Sequence, residues 1–247
     1  AGSDGYASFD AHAAGGIGTG YASVFAHAAT SDGWRQNSHQ EQQSLSGRAG
    51  VPLAAGELAL DYAVYGENAG MPGPLAQDLY QSDARRAKTP YDSQRRDGFR
   101  LRPGGQWRLA DDLTLEAEVA VEKETQHWDM VSWASTSERD KHVYAFTPRL
   151  RWNHGLAGLA SETVAGLDYY DGTVDAWYSS SAGQSADQTS KAVYFQNATA
   201  LGAGWTFTLG GRAQTMEQSA RQDAYGFSPA MDGAATRTRR AFEAGVR

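Results

Sequence analysis

The alternation of hydrophobic and polar side chains is strictest between residues 113 and 124. One face of this stretch carries Leu113, Leu115, Ala117, Val119 and Val121. The other face carries Thr114, Glu116, Glu118, Ala120, Glu122 and Glu124. A period of two residues is typical of a β-strand whose faces meet different media. The pattern therefore predicts a strand between an apolar medium and a wet one.

The preceding stretch, residues 99–109, repeats the pattern and predicts the partner of this strand. Its apolar positions are Phe99, Leu101, Pro103, Gly105, Trp107 and Leu109. Residues 110–112 form the predicted turn, and placing Leu109 opposite Leu113 makes the two apolar faces coincide. The same register puts arginines beside glutamates on the polar face, and these residues are Arg100, Arg102, Glu118 and Glu122. The prediction is a hairpin with one apolar and one charged side.

Near the start of the chain, two similar alanine-rich stretches flank a glycine-rich segment at residues 15–18. This arrangement predicts a hairpin with its turn in that segment. We expect Phe9 to pair with Val24. In that register His12 and His27 lie at opposite ends of the hairpin, so the repeated histidine is not expected to form a metal site.

Seven further strands are predicted along the rest of the chain, which brings the total to about eleven. They cover residues 41–52, 57–65, 142–152, 161–177, 191–201 and 205–216, and a stretch from about 239 to 247. The short connections fall near residues 15–18, 53–56, 110–112, 153–157 and 202–204. The long connections fall near residues 30–40, 66–94, 126–139, 179–190 and 217–235. Short and long connections alternate, as in an outer-membrane β-barrel with short periplasmic turns and long extracellular loops.

The tryptophans fit the same architecture. Trp107, Trp152 and Trp205 lie within a few residues of short connections, where a membrane interface selects aromatic side chains. The alternative is that they are ordinary core aromatics. Four more tryptophans fall in or near long connections, where they could form an outer girdle or contact a ligand, and both possibilities stay open. These are Trp34, Trp128, Trp133 and Trp177.

Composition narrows the class of protein. The 247 residues contain 40% hydrophobic residues, 28 glycines and no cysteine, with a net charge of -7. No apolar run approaches the roughly 18 residues of a membrane helix, which excludes a helical membrane protein. Disorder and a helical globular fold both fit poorly. The negative charge and scattered basic residues give no reason to expect a nucleic-acid partner.

No catalytic, phosphate-binding or dinucleotide-binding motif is present in the sequence. The glutamates of the central strand could be paired acid and base groups, as in a glycosidase. We favour instead a salt-bridged barrel interior that faces Arg100 and Arg102. We therefore predict no enzymatic activity, no catalytic residue, no metal site and no cofactor.

Several segments resemble TonB-dependent outer-membrane receptors. They are residues 71–75, 83–87 and 97–103, together with the strand phrases at 165–169, 209–212 and 242–247. The resemblance implies an all-β fold, an antiparallel transmembrane β-barrel plugged by an N-terminal globular domain. Such barrels have about 22 strands, so residues 1–247 are expected to be the N-terminal half of the barrel. The plug, the TonB-binding segment and the C-terminal strands are expected to be absent.

The resemblance also implies a function and a location. We expect TonB-coupled uptake of a scarce metal chelate, such as an iron-siderophore complex or a cobalamin-like cofactor, in the cell outer membrane. The implied partners are membrane lipid, the chelate, and TonB with its inner-membrane energising complex. The expected ligand contacts are long-loop aromatics, namely Trp34, Tyr80, Trp128, Trp133 and Trp177. Uptake of another bulky cofactor such as a redox quinone, a passive porin, an outer-membrane enzyme barrel and a soluble β-sandwich remain alternatives.

Overall fold

In the computed structural model, which describes residues 3–247, the chain forms one antiparallel sheet. The strands are β1 (Ala7–Ile17), β2 (Gly20–Ser31), β3 (Gln40–Leu53), β4 (Gly56–Gly70), β5 (Ser93–Ala110), β6 (Leu113–Met130), β7 (Ser135–Phe146), β8 (Arg149–Leu156), β9 (Leu159–Tyr178), β10 (Gln184–Gly202), β11 (Trp205–Gln222) and β12 (Met231–Val246). The described residues also contain one short helix, α1 (Gln77–Ser82), and a single 3₁₀ turn at Val131–Trp133. No helix among them is long and apolar enough to cross a membrane.

The strands β7 and β8 are two parts of one strand position, because both pair with β6 and β9. The interruption lies at Thr147 and Pro148, and a proline has no backbone N–H to offer a neighbouring strand. The Pro148 carbonyl still accepts a hydrogen bond from the Leu167 N–H at 3.0 Å. Counted across the sheet there are eleven positions, so the predicted all-β fold with about eleven strands is confirmed.

The central hairpin of β5 and β6 has the predicted register along most of its length. Trp107 pairs with Leu115 and Arg100 pairs with Glu122. Near the turn, a bulge moves Leu109 out of the pairing and places Ala110 opposite Leu113. A bulge adds one residue to one strand without changing the faces farther along. The apolar and charged sides of this hairpin are therefore those that the alternation predicts.

The register of the first hairpin differs from the prediction by four residues. Phe9 pairs with Ala28, not with Val24. The turn consists of residues 18–19 only, with Gly18 at a φ of +61°, and the two glycines before it stay in β1. Because the shift is an even number of residues, each side chain keeps its predicted face. The alanine-rich strands tolerate this shift, since neighbouring pairs have similar volumes.

This register also changes the position of the two histidines. His12 pairs with Phe25 and His27 pairs with Asp10, so the histidines are diagonal neighbours on one face. The prediction that they lie at opposite ends of the hairpin is wrong. The Nδ1 atom of His27 lies 2.7 Å from an Asp10 carboxylate oxygen. Within residues 3–247, no group of three or more histidine, aspartate or glutamate side chains could hold a metal ion.

Several strands are longer than predicted, and most of the extra length is at the long-connection end. The connections there are residues 32–39, 71–92, 131–134, 179–183 and 223–230. The predicted loops at 126–139, 179–190 and 217–235 are therefore mostly strand. On β6, the outward positions after Val121 are Lys123, Thr125, His127 and Asp129, so both faces there are polar and the alternation disappears. The five connections at the other end have two residues each, and the asymmetry of the ends persists.

The sheet has no conventional hydrophobic core. No large side chain within the described residues is fully buried, and the buried apolar residues are all alanines. The apolar positions of the strands lie instead on one exposed face of the sheet, which we call the outward face. Val119 on this face is 42% exposed. Trp107 and Trp152 lie on this outward face, because they pair with Leu115 and Leu113 of β6. The alternative of ordinary core tryptophans therefore does not apply to this pair.

Candidate ligand site at the long-loop end

The polar face of the sheet, which we call the inner wall, carries a series of ion pairs. All four glutamates of the β6 ladder contact a basic side chain, as the sequence predicts. Nitrogen–oxygen contacts join Glu116 to Arg149 at 2.6 Å, Glu118 to Arg102 at 2.8 Å, Glu122 to Lys141 at 2.8 Å and Glu124 to Arg96 at 2.6 Å. Arg102 and Glu118 are 42% and 33% exposed in their side chains, so this pair contributes about 0–1 kcal/mol to stability.

This pairing also indicates what the wall can do chemically. A glycosidase needs one carboxyl group held as a proton donor and another free to act as base or nucleophile. Here the Glu118 carboxylate accepts three hydrogen-bonding contacts from Arg102, and Glu122 is shared between Arg100 and Lys141. Both carboxylates are therefore already occupied by basic partners. The wall therefore presents a surface of paired charges.

Closer to the long connections, the same wall carries a tryptophan with a cation over its ring. Trp128 is on the polar face of β6, because it lies an even number of residues after Glu124. The guanidinium carbon of Arg139 lies 5.4 Å from the centroid of the Trp128 ring. Arg139 also donates a hydrogen bond to the side-chain oxygen of Gln126. This arrangement fixes the Arg139 side chain above the ring and leaves both groups on the inner wall.

Three connections at this end contact one another and form a unit that we call the loop cluster, comprising residues 32–39, 71–92 and 131–134. Its buried acidic residue is Asp92, which is only 3% exposed. The Asp92 carboxylate accepts a hydrogen bond from the Ser132 N–H at 2.8 Å. The Met71 N–H donates to the Asp92 carbonyl oxygen at 2.8 Å, which closes the ends of the longest connection. The cluster is thus built from polar contacts.

The structure separates the five predicted ligand-contact residues into three places. Trp34, Tyr80 and Trp133 lie in the loop cluster, with 46%, 56% and 65% of their surfaces exposed. Trp128 lies on the inner wall. Trp177 pairs with Glu138 on the outward face of β7 and β9, where it does not face the inner wall. Contact between any of these residues and a ligand stays a prediction.

Sequence reasoning missed several residues that shape this end of the molecule. Arg139 was assigned to a loop, although continuing the period-two alternation of β6 and β7 through the polar residues would have placed it beside Trp128. Asn37 and Asp92 were missed because their partners are backbone groups far away in sequence. No local pattern signals such contacts, since they depend on how the connections fold against one another.

Comparisons with known proteins agree with this architecture. A family model described as TonB dependent receptor-like, beta-barrel, matches residues 5–236. No curated protein sequence matches the chain. Among solved structures, the alcaligin outer membrane receptor FauA from Bordetella pertussis matches with a TM-score of 0.80 at 14% identity, covering 99% of this chain and 39% of that one.

Two other solved structures match in the same way. The unliganded ferric citrate transporter FecA has a TM-score of 0.78 at 15% identity, covering 97% of this chain and 38% of that one. The siderophore receptor PiuA from Acinetobacter baumannii has a TM-score of 0.76 at 14% identity, covering 100% of this chain and 46% of that one. The chain thus spans less than half the length of these three proteins. From the family match over residues 5–236, the chain belongs to the TonB-dependent receptor β-barrel family.

Proposed function

We propose that this chain is part of an outer-membrane receptor that takes up a ferric siderophore with energy supplied through TonB. The observation that carries the proposal is the family match over residues 5–236. The structural neighbours support the ligand class, because their names describe a ferric citrate transporter, an alcaligin receptor and a siderophore receptor. On this proposal the protein is located in the cell outer membrane.

The two faces of the sheet support a membrane location. On β6, the outward apolar positions extend over nine residues, from Leu113 to Val121. A tilted transmembrane strand needs about 9–11 residues to cross the hydrocarbon region. The opposite face carries the ion pairs and is suited to a hydrated interior. We propose that the glutamates of this face are structural and that the protein is not an enzyme.

The inner wall at the long-loop end supports capture of a chelate. Ferric siderophores are bulky and present carboxylate, catecholate or hydroxamate oxygens. Arginine binds such oxygens through charge-assisted hydrogen bonds, and a tryptophan ring offers a large flat contact surface. Arg139 and Trp128 supply these two groups side by side on the inner wall. We propose that they contact the ligand, together with exposed aromatics of the loop cluster.

The proposal names partners as well as a ligand. Uptake against a gradient requires energy, which on this proposal comes from an inner-membrane complex through TonB. Membrane lipid surrounds the outward face. On the inner wall, carboxylates such as Glu118 and Glu122 are already paired with basic groups. A hydrated chelate would therefore pass along this wall without being held strongly by an unpaired charge.

Growth under iron limitation tests the proposed function. The gene is deleted, and growth is measured with ferric citrate, ferric alcaligin or a ferric catecholate as the only iron source. We expect the deletion strain to lose growth on one of these chelates and the intact gene to restore it. A strain without TonB should lose growth on the same chelate. Growth that depends on cobalamin or a quinone instead would name another cargo. Uptake that persists without TonB would show a passive pore and overturn the proposal.

A further inference from the structure

The longest connection, residues 71–92, is held in place by a neighbouring segment as well as by its own contacts. Within the connection, the Lys88 N–H donates to the Pro72 carbonyl oxygen at 2.8 Å. The threonine hydroxyl of Thr89 donates to the Met71 carbonyl oxygen. These contacts bring the two ends of the connection side by side. They leave several carbonyl groups pointing toward residues 35–37 of the preceding connection.

Asn37 is the centre of this contact. Its side-chain nitrogen lies 3.3 Å from the Met71 carbonyl oxygen, 2.8 Å from that of Thr89 and 2.7 Å from that of Asp92. An amide group has two N–H donors, so three acceptors from both ends of the connection share them. The backbone of Asn37 has a φ of +57°. Asparagine tolerates this left-handed conformation better than most residues.

The two residues before Asn37 extend the contact along the connection. The Arg35 guanidinium donates to the Arg86 carbonyl oxygen at 2.9 Å. The Gln36 N–H donates to the Arg85 carbonyl oxygen at 2.7 Å, and the Gln36 side-chain oxygen accepts from the Ala87 N–H at 3.3 Å. Residues 35–37 thus bind the backbone of the connection at several points. These hydrogen bonds, which a flexible loop would lack, tie the connection to the neighbouring connection of residues 32–39.

We infer that Asn37 is a positioning residue that holds residues 71–92 as a preformed surface before any ligand arrives. The inference deepens the proposed function, and its ligand half rests on that proposal. The anchored connection displays Tyr80 on its outer side, where the aromatic ring is exposed. A surface that is already ordered avoids the entropy cost of ordering a loop upon binding. Asn37 therefore acts on affinity through the loop and without touching the ligand.

Trypsin tests the positioning directly and needs no ligand. Arg85, Arg86 and Lys88 have exposed side chains, whereas their backbone is fixed, and proteases require a segment that opens. The full-length receptor, refolded in lipid vesicles, is digested as wild type, as Asn37→Ala and as Asn37→Gly. Glycine keeps the left-handed backbone and removes only the amide. Cleavage within residues 71–92 is expected to be about tenfold faster or more in both variants.

Asn68→Ala is the matched control, because Asn68 is exposed on β4 outside the loop cluster. Its cleavage rate should equal that of the wild type. A gel-mobility assay of unheated samples shows that each barrel is folded. Wild-type cleavage rates in Asn37→Gly would overturn the inference, because they would show that the amide does not hold the connection.

A transport measurement then separates positioning from the proposed function. Uptake of ⁵⁵Fe is measured with whichever of ferric citrate, ferric alcaligin and the ferric catecholate supports growth. Asn37→Gly should raise the half-saturating concentration several-fold and leave the maximal rate within about twofold of the wild type. A lower maximal rate with unchanged half-saturation would contradict the role of Asn37 in ligand capture. Failure of the uptake proposal itself would leave the trypsin result unaffected.

Discussion

The outward face of the sheet and the loop cluster are stabilised by different means. On the outward face, large apolar side chains such as Val119 and Phe146 are more than 40% exposed, so they gain stability only from an apolar environment around the sheet. In the loop cluster, the buried residues are small, and two of the three, Thr89 and Asp92, are polar. Their side chains form hydrogen bonds to backbone groups, within the same connection for Thr89 and in a neighbouring connection for Asp92.

Because the two regions are stabilised differently, different substitutions should destabilise them. The outward face should tolerate exchange among apolar residues and be damaged by a charge, because on the proposed function it is surrounded by lipid. The loop cluster should be damaged by loss of a single donor or acceptor, because a buried polar group without a partner is costly. Substitutions in each region, each with a control variant elsewhere on the molecule, test this difference.

The largest effect is expected for a charge on the outward face. Val119→Arg should lower the free energy of unfolding by about 2–4 kcal/mol, the cost of an arginine near the middle of the bilayer. Gln106→Arg is the control, because Gln106 lies on the polar face opposite Glu116 and Glu57. Its change should stay below about 1 kcal/mol. Both are measured by denaturant titration of the full-length receptor in vesicles, and equal costs would contradict a lipid-facing Val119.

A smaller and local effect is expected in the loop cluster. Asp92→Ala removes the acceptor of the Ser132 N–H and should cost about 1–3 kcal/mol locally. The readout is faster hydrogen exchange at the Ser132 amide, with little change in global unfolding. Asp97→Ala serves as the control because the Asp97 side chain is 54% exposed and its carboxylate forms an ion pair with Arg95. Unchanged exchange at Ser132 in Asp92→Ala would show that the carboxylate does not link the connections.

Ligand binding should distinguish the inner wall from the outward face. Trp128→Ala should raise the half-saturating concentration for ⁵⁵Fe-chelate uptake roughly tenfold, or about 1.4 kcal/mol. The matched tryptophan is Trp177, which pairs with Glu138 on the outward face. Trp177→Ala should leave uptake close to wild type. The opposite ranking of the two variants would place the ligand outside the inner wall.

The smallest effect is expected for the ion pairs of the wall. Arg102 and Glu118 are 42% and 33% exposed in their side chains, and such pairs are weakened by water and salt. A double-mutant cycle with Arg102→Gln and Glu118→Gln should give a coupling energy of about 0.2–1 kcal/mol. A coupling energy above about 2 kcal/mol would mean that the pair is shielded from water and that the wall is not a hydrated surface.

Sequence periodicity predicts the parts of the molecule where two media meet. The register of β5 and β6 follows from the strict alternation of large apolar residues with charged ones, and the pairs of Arg100 and Arg102 with glutamates follow from that register. The first hairpin lacks this constraint. Its facing positions carry alanines, so the faces can be predicted while the exact pairing of Phe9 cannot.

The ends of the strands and the loop cluster could not be predicted for a related reason. Beyond Val121, both faces of β6 are polar, and polar residues on a strand resemble those of a loop. In the cluster, Asn37 contacts carbonyl groups that are 34 to 55 positions away in the sequence. Such contacts arise only after the sheet has brought the connections together. Arg139 differs, because continuing the alternation of β6 and β7 would place it beside Trp128 on the neighbouring strand.

We propose that the odd-numbered residues of β6 face lipid and that the even-numbered residues face a hydrated interior. This segment has no cysteine, so single cysteines can be placed at positions 116 to 121 and labelled with a nitroxide. In vesicles, we then measure how often the nitroxide collides with oxygen, which concentrates in lipid, and with a nickel complex, which stays in water. The more frequent collision partner should alternate from residue to residue, with oxygen at positions 117, 119 and 121 and nickel at positions 116, 118 and 120. A profile without alternation, or with the opposite phase, would contradict it.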